Sequence, residues 1–136
     1  MESGIDDCLF HPAGNRHGSE LEEKAFRFSK TVRLFTRTLP KTIANMEDEK
    51  RLVNALGCVG ANYIEASEAL SNKDFIVRAT ISRKKVKESR YWLGLISETN
   101  ELANEDTAYT LIKEADELET MLSSIIQKSK WTLGPR

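Results

Sequence analysis

Two cysteines and two histidines are the residues of this chain best suited to soft-metal ligation or nucleophilic chemistry, and their spacing limits what they can do. Cys8 and His11 stand three apart, a spacing that can enter a zinc site, but too few further Cys or His residues accompany them to complete four ligands. Cys58 sits among Leu56, Val59 and Ala61. Apolar surroundings suppress the thiolate, so Cys58 reads as a small core residue and not a nucleophile. The contrast between the settings of Cys8 and Cys58 argues against a disulfide framework.

Both histidines, His11 and His17, fall before residue 21, so the helical body that follows is expected to lack imidazole acid–base chemistry. A di-metal helix bundle needs Glu-x-x-His on two helices, and that motif is absent. The sequence also lacks a Walker loop, a glycine-rich phosphate cradle and a Ser-centred nucleophile motif. Between Glu98 and Glu119 stand eight acids against one base, Lys113, which is the pattern of a solvated face. We read the chain as non-enzymatic, with no catalytic residue, metal or cofactor.

The elements that would carry any binding surface follow from periodicity. With 136 residues, 40% hydrophobic and 30% charged, the chain has the size and balance of one globular helical domain. Residues 1–20 hold Pro12, Gly14 and Gly18 without a helical period and read as a flexible leader. From Leu21, the positions Leu21, Ala25, Phe28, Val32, Phe35 and Leu39 form one stripe, which Pro40 ends. Glu20, Glu22 and Glu23 before Arg33, Arg37 and Lys41 give the charge order that a helix dipole favours.

A second helix is expected from near Asn45, with Asp48 in a capping-box-like position, to near Leu70, on the stripe Leu52, Leu56, Val59, Tyr63 and Ala66. Gly57 and Gly60 inside it suggest close approach of a neighbouring backbone. Ser71 is a natural N-cap for a third helix, with Asp74 three residues on. Its stripe is Phe75, Ala79, Ser82, Val86, Ser89, Leu93 and Ile96, stopping near Asn100. After a polar turn to Asp106, a fourth stripe runs Ala108, Leu111, Ala115, Leu118, Leu122 and Ile125 and fades near Lys130. The prediction is an all-α, antiparallel up-down-up-down four-helix bundle over residues 21–130, with a tail at 131–136.

Charge is segregated along these elements. Six bases and no acid lie between Lys24 and Lys41, and Arg78, Arg83, Lys84, Lys85, Lys87 and Arg90 gather on the third helix. Two readings stand. Basic and acidic helices attract one another within or between bundles, or basic surfaces meet nucleic-acid phosphates. Arg83, Lys84 and Lys87, helped by Arg33 and Arg37, are the candidate phosphate contacts, although a net charge of −1 is low for a strong nucleic-acid binder. The third helix has a second line, Ile81, Lys85, Glu88, Trp92 and Leu95, that is a candidate subunit contact, with Tyr91 and Trp92 as aromatic anchors. Its alternative role is to close the bundle's edge.

The segments Asn62-Tyr63-Ile64-Glu65-Ala66, Ser71-Asn72-Lys73-Asp74-Phe75 and Glu88-Ser89-Arg90-Tyr91-Trp92-Leu93 together resemble the four-helix-bundle proteins named after intervening sequences of bacterial 23S ribosomal RNA genes. The likeness spans roughly residues 21–130. It implies a homo-oligomer, a pentameric ring, and through a related branch, the accessory variability determinant of diversity-generating retroelements, a link to nucleic acid and to a reverse-transcriptase-like protein. Ala66 stands where the family commonly has Gly, and Ala69 where a basic residue often follows, which weakens a phosphate contact at that turn. By position, Asn62, Glu65, Ser71 and Asp74 would fix the junction of the second and third helices.

The sequence thus leads to a non-enzymatic, homo-oligomeric scaffold or adaptor that engages RNA, DNA or a nucleic-acid enzyme, or alternatively to a purely structural or protein-interaction module. The acidic start and the lack of a membrane-length apolar run give a cytoplasmic expectation with no membrane partner.

Overall fold

The computed structural model describes residues 16–102 and 105–133, with side chains for 20–102 and 105–131. Cys8, His11, Pro12 and Gly14 lie outside the described residues. Four helices follow one another: α1 (Arg16–Thr36), α2 (Ile43–Ser67), α3 (Asn72–Glu98) and α4 (Glu105–Leu133). No strand occurs among the described residues.

In α1 every member of the first stripe is buried, and Leu39 continues it into the turn that follows. That turn tightens by successive i to i−3 bonds, Arg37 N to Leu34 O, Thr38 N to Phe35 O and Leu39 N to Thr36 O, before Pro40 removes the next donor. The helix begins five residues before Leu21, so His17 and Gly18 belong to α1 and not to a leader. Nothing between Arg16 and Leu21 breaks a helix outright, since an internal Gly costs only about 1 kcal/mol relative to Ala. The earlier start also moves Glu20, Glu22 and Glu23 out of the first turn, leaving Arg33 in the last turn as the dipole-matched charge.

Thr42, not Asn45, caps α2: its backbone is extended and its Oγ1 accepts from Asn45 N at 3.1 Å. The helix closes at Ser67, with Glu68 N donating to the carbonyls of Ile64 and Glu65, three residues short of Leu70. Ser71 caps α3 as expected, accepting from Asp74 N at 3.1 Å. On α4 Ile126 is buried and Ile125 only partly so. A straight helix drifts about 20° per heptad from a strict four-three pattern, which accounts for the change of register at the far end.

The stripes meet in one core. Each helix packs against two neighbours, α1 on α2, α2 on α3, α3 on α4 and α4 back on α1, so α1 and α3 stand at diagonal corners of an antiparallel bundle. The α2–α3 and α3–α4 seams are close because α3 presents Ala79, Ser82 and Ser89 to the core. Ser82 Oγ spans the α2–α3 seam and donates to Val59 O at 2.8 Å. On α1, Phe28 and Phe35 keep the backbone further out. Gly57 and Gly60 do not mark a close approach: a Cβ at either would meet nothing within 4 Å. Both face the looser α1–α2 side. Among the described residues no helix is long and apolar enough to cross a membrane.

Candidate interaction surfaces

Three surfaces follow from this arrangement. Along the α3–α4 seam, Arg83 Nη1 donates to Ser123 Oγ at 3.2 Å, Lys87 Nζ lies 3.8 Å from Glu119 Oε2, and Arg90 Nε donates to Asp116 Oδ1 at 2.6 Å. Steps of four and three on α3 are answered by the same steps descending α4, the register of antiparallel neighbours. On the other flank of α4, Lys24 Nζ of α1 reaches Glu117 Oε1 at 2.9 Å and, by that hydrogen bond and its charge, holds the Glu117 carboxyl below the usual range. The acidic face of α4 is therefore shared between bases of α3 and α1. Of the three α3 candidates for phosphate contact, Arg83 and Lys87 are turned to α4, and Lys84 is exposed.

The second line of α3 lies half-buried: Ile81, Lys85, Glu88, Trp92 and Leu95 are all partly covered. Lys85 Nζ donates to Glu88 Oε1 at 3.2 Å, and Trp92 Nε1 donates to Glu88 Oε2 at 3.3 Å. The Arg51 guanidinium of α2 sits 5.6 Å above the Trp92 ring, which also packs against the core. Trp92 thus closes the α2–α3 edge, while Tyr91, edge-on to it at 4.9 Å, stays exposed.

At the α2–α3 junction, Asn62 Nδ2 donates to Cys58 O at 2.9 Å and its Oδ1 accepts from Arg78 Nη1 at 3.5 Å, tying the helices together. Glu65 is exposed and contributes its backbone carbonyl to the α2 end. Cys58 is half-buried. Among the described residues no group of three His, Cys, Asp or Glu could hold a metal ion.

The third surface was not singled out from the sequence. Between α1 and α2 runs a groove of about 690 Å³. Its floor is Gly57, Gly60 and Ala61, its apolar walls include Phe26, Leu34 and Ile64, and Lys30, Arg33 and Arg37 line the α1 side. Phe26 is 59%, Leu34 48% and Ile64 38% exposed. No carboxylate pairs with Lys30, Arg33 or Arg37 among the described residues. At one end Glu22 Oε2 accepts from Ser67 Oγ at 3.1 Å, beside the buried Tyr63, whose phenol is pushed up to about 12 by burial and then by the Glu22 charge. Arg33 and Arg37 therefore sit on the corner diagonal to Arg83, Lys84 and Lys87, and the five do not make one patch. The signal in the sequence was a second line on α1, Phe26, Lys30, Arg33 and Arg37, beside the first.

An antiparallel four-helix bundle without a metal cluster in its described part, carrying its distinguishing chemistry on outer faces, is the class defined by these features. Residues 19–124 match the family model described as 23S rRNA-intervening sequence protein, and the chain belongs to that family. Among solved structures it is similar to a protein of unknown function from the S23 ribosomal protein family of Bacteroides thetaiotaomicron, with 25% identity and a TM-score of 0.68 over 82% of this chain and 98% of that one. No curated protein matches the chain.

Proposed function

We propose that the chain is a non-enzymatic cytoplasmic adaptor that assembles with copies of itself and engages nucleic acid or a nucleic-acid enzyme through the cations of α1. The observation that carries this reading is the row Lys30, Arg33 and Arg37, without carboxylate partners among the described residues and set beside exposed apolar side chains. Cations already paired within the bundle gain less from phosphate than those left open, so α1 is a better contact surface than α3. Self-assembly, as a pentamer, rests on the family resemblance, with the exposed Tyr91 and the second line of α3 as the contact. A ring would repeat the α1 row and give weak contacts avidity.

The test is titration of labelled single-stranded and duplex RNA and DNA at two salt concentrations. Arg33→Glu with Arg37→Glu should abolish binding at low salt, whereas Arg83→Glu, Lys84→Glu and Lys87→Glu together should leave most of it. Light scattering supplies the assembly mass, and Tyr91→Ala should lower it. Absence of binding at low salt by the wild type overturns the nucleic-acid role. The α3–α4 pairing and the net charge of −1 favour, in that case, the second reading, a protein-interaction module.

A further inference from the structure

The α1–α2 groove carries two strips side by side. Lys30, Arg33 and Arg37 stand at steps of three and four along α1 and into the turn that ends it, a ladder about 10 Å long. No carboxylate answers that ladder among the described residues. Beside it lie the exposed apolar side chains of Phe26, Leu34 and Ile64. The floor of Gly57, Gly60 and Ala61 bears nothing larger than a methyl group, and a Cβ at either glycine would meet nothing within 4 Å, so an incoming backbone finds room.

Each feature narrows the occupant. A lone anionic head group meets only part of a ladder of three cations, which calls for a row of anions at matching intervals. Phosphates supply such a row but leave Leu34, Ile64 and the bare floor uncovered. Bases stack on aromatic faces, and of the three exposed apolar side chains only Phe26 is aromatic. An amphipathic helix answers both strips. Its carboxylates at steps of three and four repeat at the spacing of the ladder, and the neighbouring strip of its surface is apolar. From Phe26 to Arg37 the groove wall advances by about 16 Å, which asks for about three turns of such a helix.

We propose that the α1–α2 groove is the docking site for an acidic amphipathic helix of a partner protein. The carboxylates of that helix lie on Lys30, Arg33 and Arg37, its apolar strip packs against Phe26, Leu34 and Ile64, and its backbone passes over Gly57 and Gly60. The inference rests on the proposed function in taking the α1 cations as the contact surface, and it deepens that reading: of the two partner classes, the groove takes the protein one.

The probe is a fluorescent, helix-stapled peptide of about fifteen residues, long enough for the three turns and their ends, with leucines along one strip and glutamates along the next. It is titrated with the full-length chain and followed by anisotropy and by NMR. Binding should be saturable at low salt and weaken as salt rises, with shift changes at Leu34, Gly57, Gly60 and Ile64 and none at Val77 on α3. Lysines in place of the peptide's glutamates should abolish binding, and alanine in place of one leucine should weaken it about tenfold. Gly60→Leu fills the floor without touching a charge and should also abolish it, with circular dichroism and mass checking that the bundle is intact. Four results overturn the proposal: no saturable binding, binding indifferent to the loss of leucine, shift changes away from the groove, or a Gly60→Leu chain that binds as the wild type does. A groove already covered by a second copy gives the first of these. RNA or DNA that binds where the peptide does not overturns this inference alone, and a peptide that binds where no nucleic acid does supports it while overturning the nucleic-acid role.

Discussion

Asn45 and Asn100 pair their side-chain amides in both directions, Nδ2 of each donating to Oδ1 of the other at 2.8 and 2.9 Å. Asn45 Nδ2 also donates to Pro40 O, and Asn100 Nδ2 to Ile96 O, each at 2.9 Å. The pair therefore locks the α1–α2 turn to the end of α3 with its donors used. Asn45 is buried. Asn45→Ala strips Asn100 of its partner and should destabilise by about 1–3 kcal/mol. Urea midpoints with an unchanged m-value check this, and a cycle with Asn100→Ala should show coupling.

The α3–α4 ladder is exposed, so it sets register more than it adds stability. Arg90→Ala should cost no more than about 1 kcal/mol, and the cost should shrink as salt rises. Urea unfolding of wild type and variant at low and high salt measures both.

Tyr63 gives the fold an alkaline limit. Its phenol is raised from 10.0 to about 12, by burial first and Glu22 second, so the folded state holds the proton more tightly than the unfolded state. This contribution is complete below pH 10 and is lost as pH rises to 12, a fall on the order of 2–3 kcal/mol. Tyr63→Phe should remove that part of the alkaline decline. The difference in tyrosinate absorbance between wild type and Tyr63→Phe locates the titration.

Gly57 and Gly60 are helix-interior glycines whose Cβ positions are open. Gly57→Ala and Gly60→Ala should each stabilise by roughly 0.5–1 kcal/mol, read as a rise in thermal midpoint.

Much of the bundle was legible because core burial repeats with the helix turn. The stripes of α1 and α2 are buried throughout; on α3 only the first member, Phe75, is partly exposed. Element ends were less legible. Thr42 caps α2 because the turn after Pro40 extends it, and Asn45, which looked like a cap, is recruited to Asn100 across the bundle, a pairing no local pattern reveals. The charge clusters were visible as clusters, but their partners were not. Whether Arg83 meets a phosphate or Ser123 depends on the α3–α4 register. Arg33 and Arg37 find no carboxylate partner among the described residues, because Glu22, the groove's one carboxylate there, sits at its far end beside Ser67 and Tyr63. The glycines misled for a related reason: their lack of a side chain opens a surface instead of closing a seam.

α1 is held by bulky side chains at a distance, while α2, α3 and α4 are drawn together by the small residues of α3. α1 is thus the more loosely packed member of the bundle, and amide exchange in it should proceed through a partial opening of lower free energy than global unfolding. One wall of the groove and the whole row Lys30, Arg33 and Arg37 belong to that member. An opening of α1 would remove the groove. Any occupant of the groove should therefore raise the free energy of that opening by RT ln(1 + [L]/Kd) and leave the slowest amides of α3 tied to the global transition.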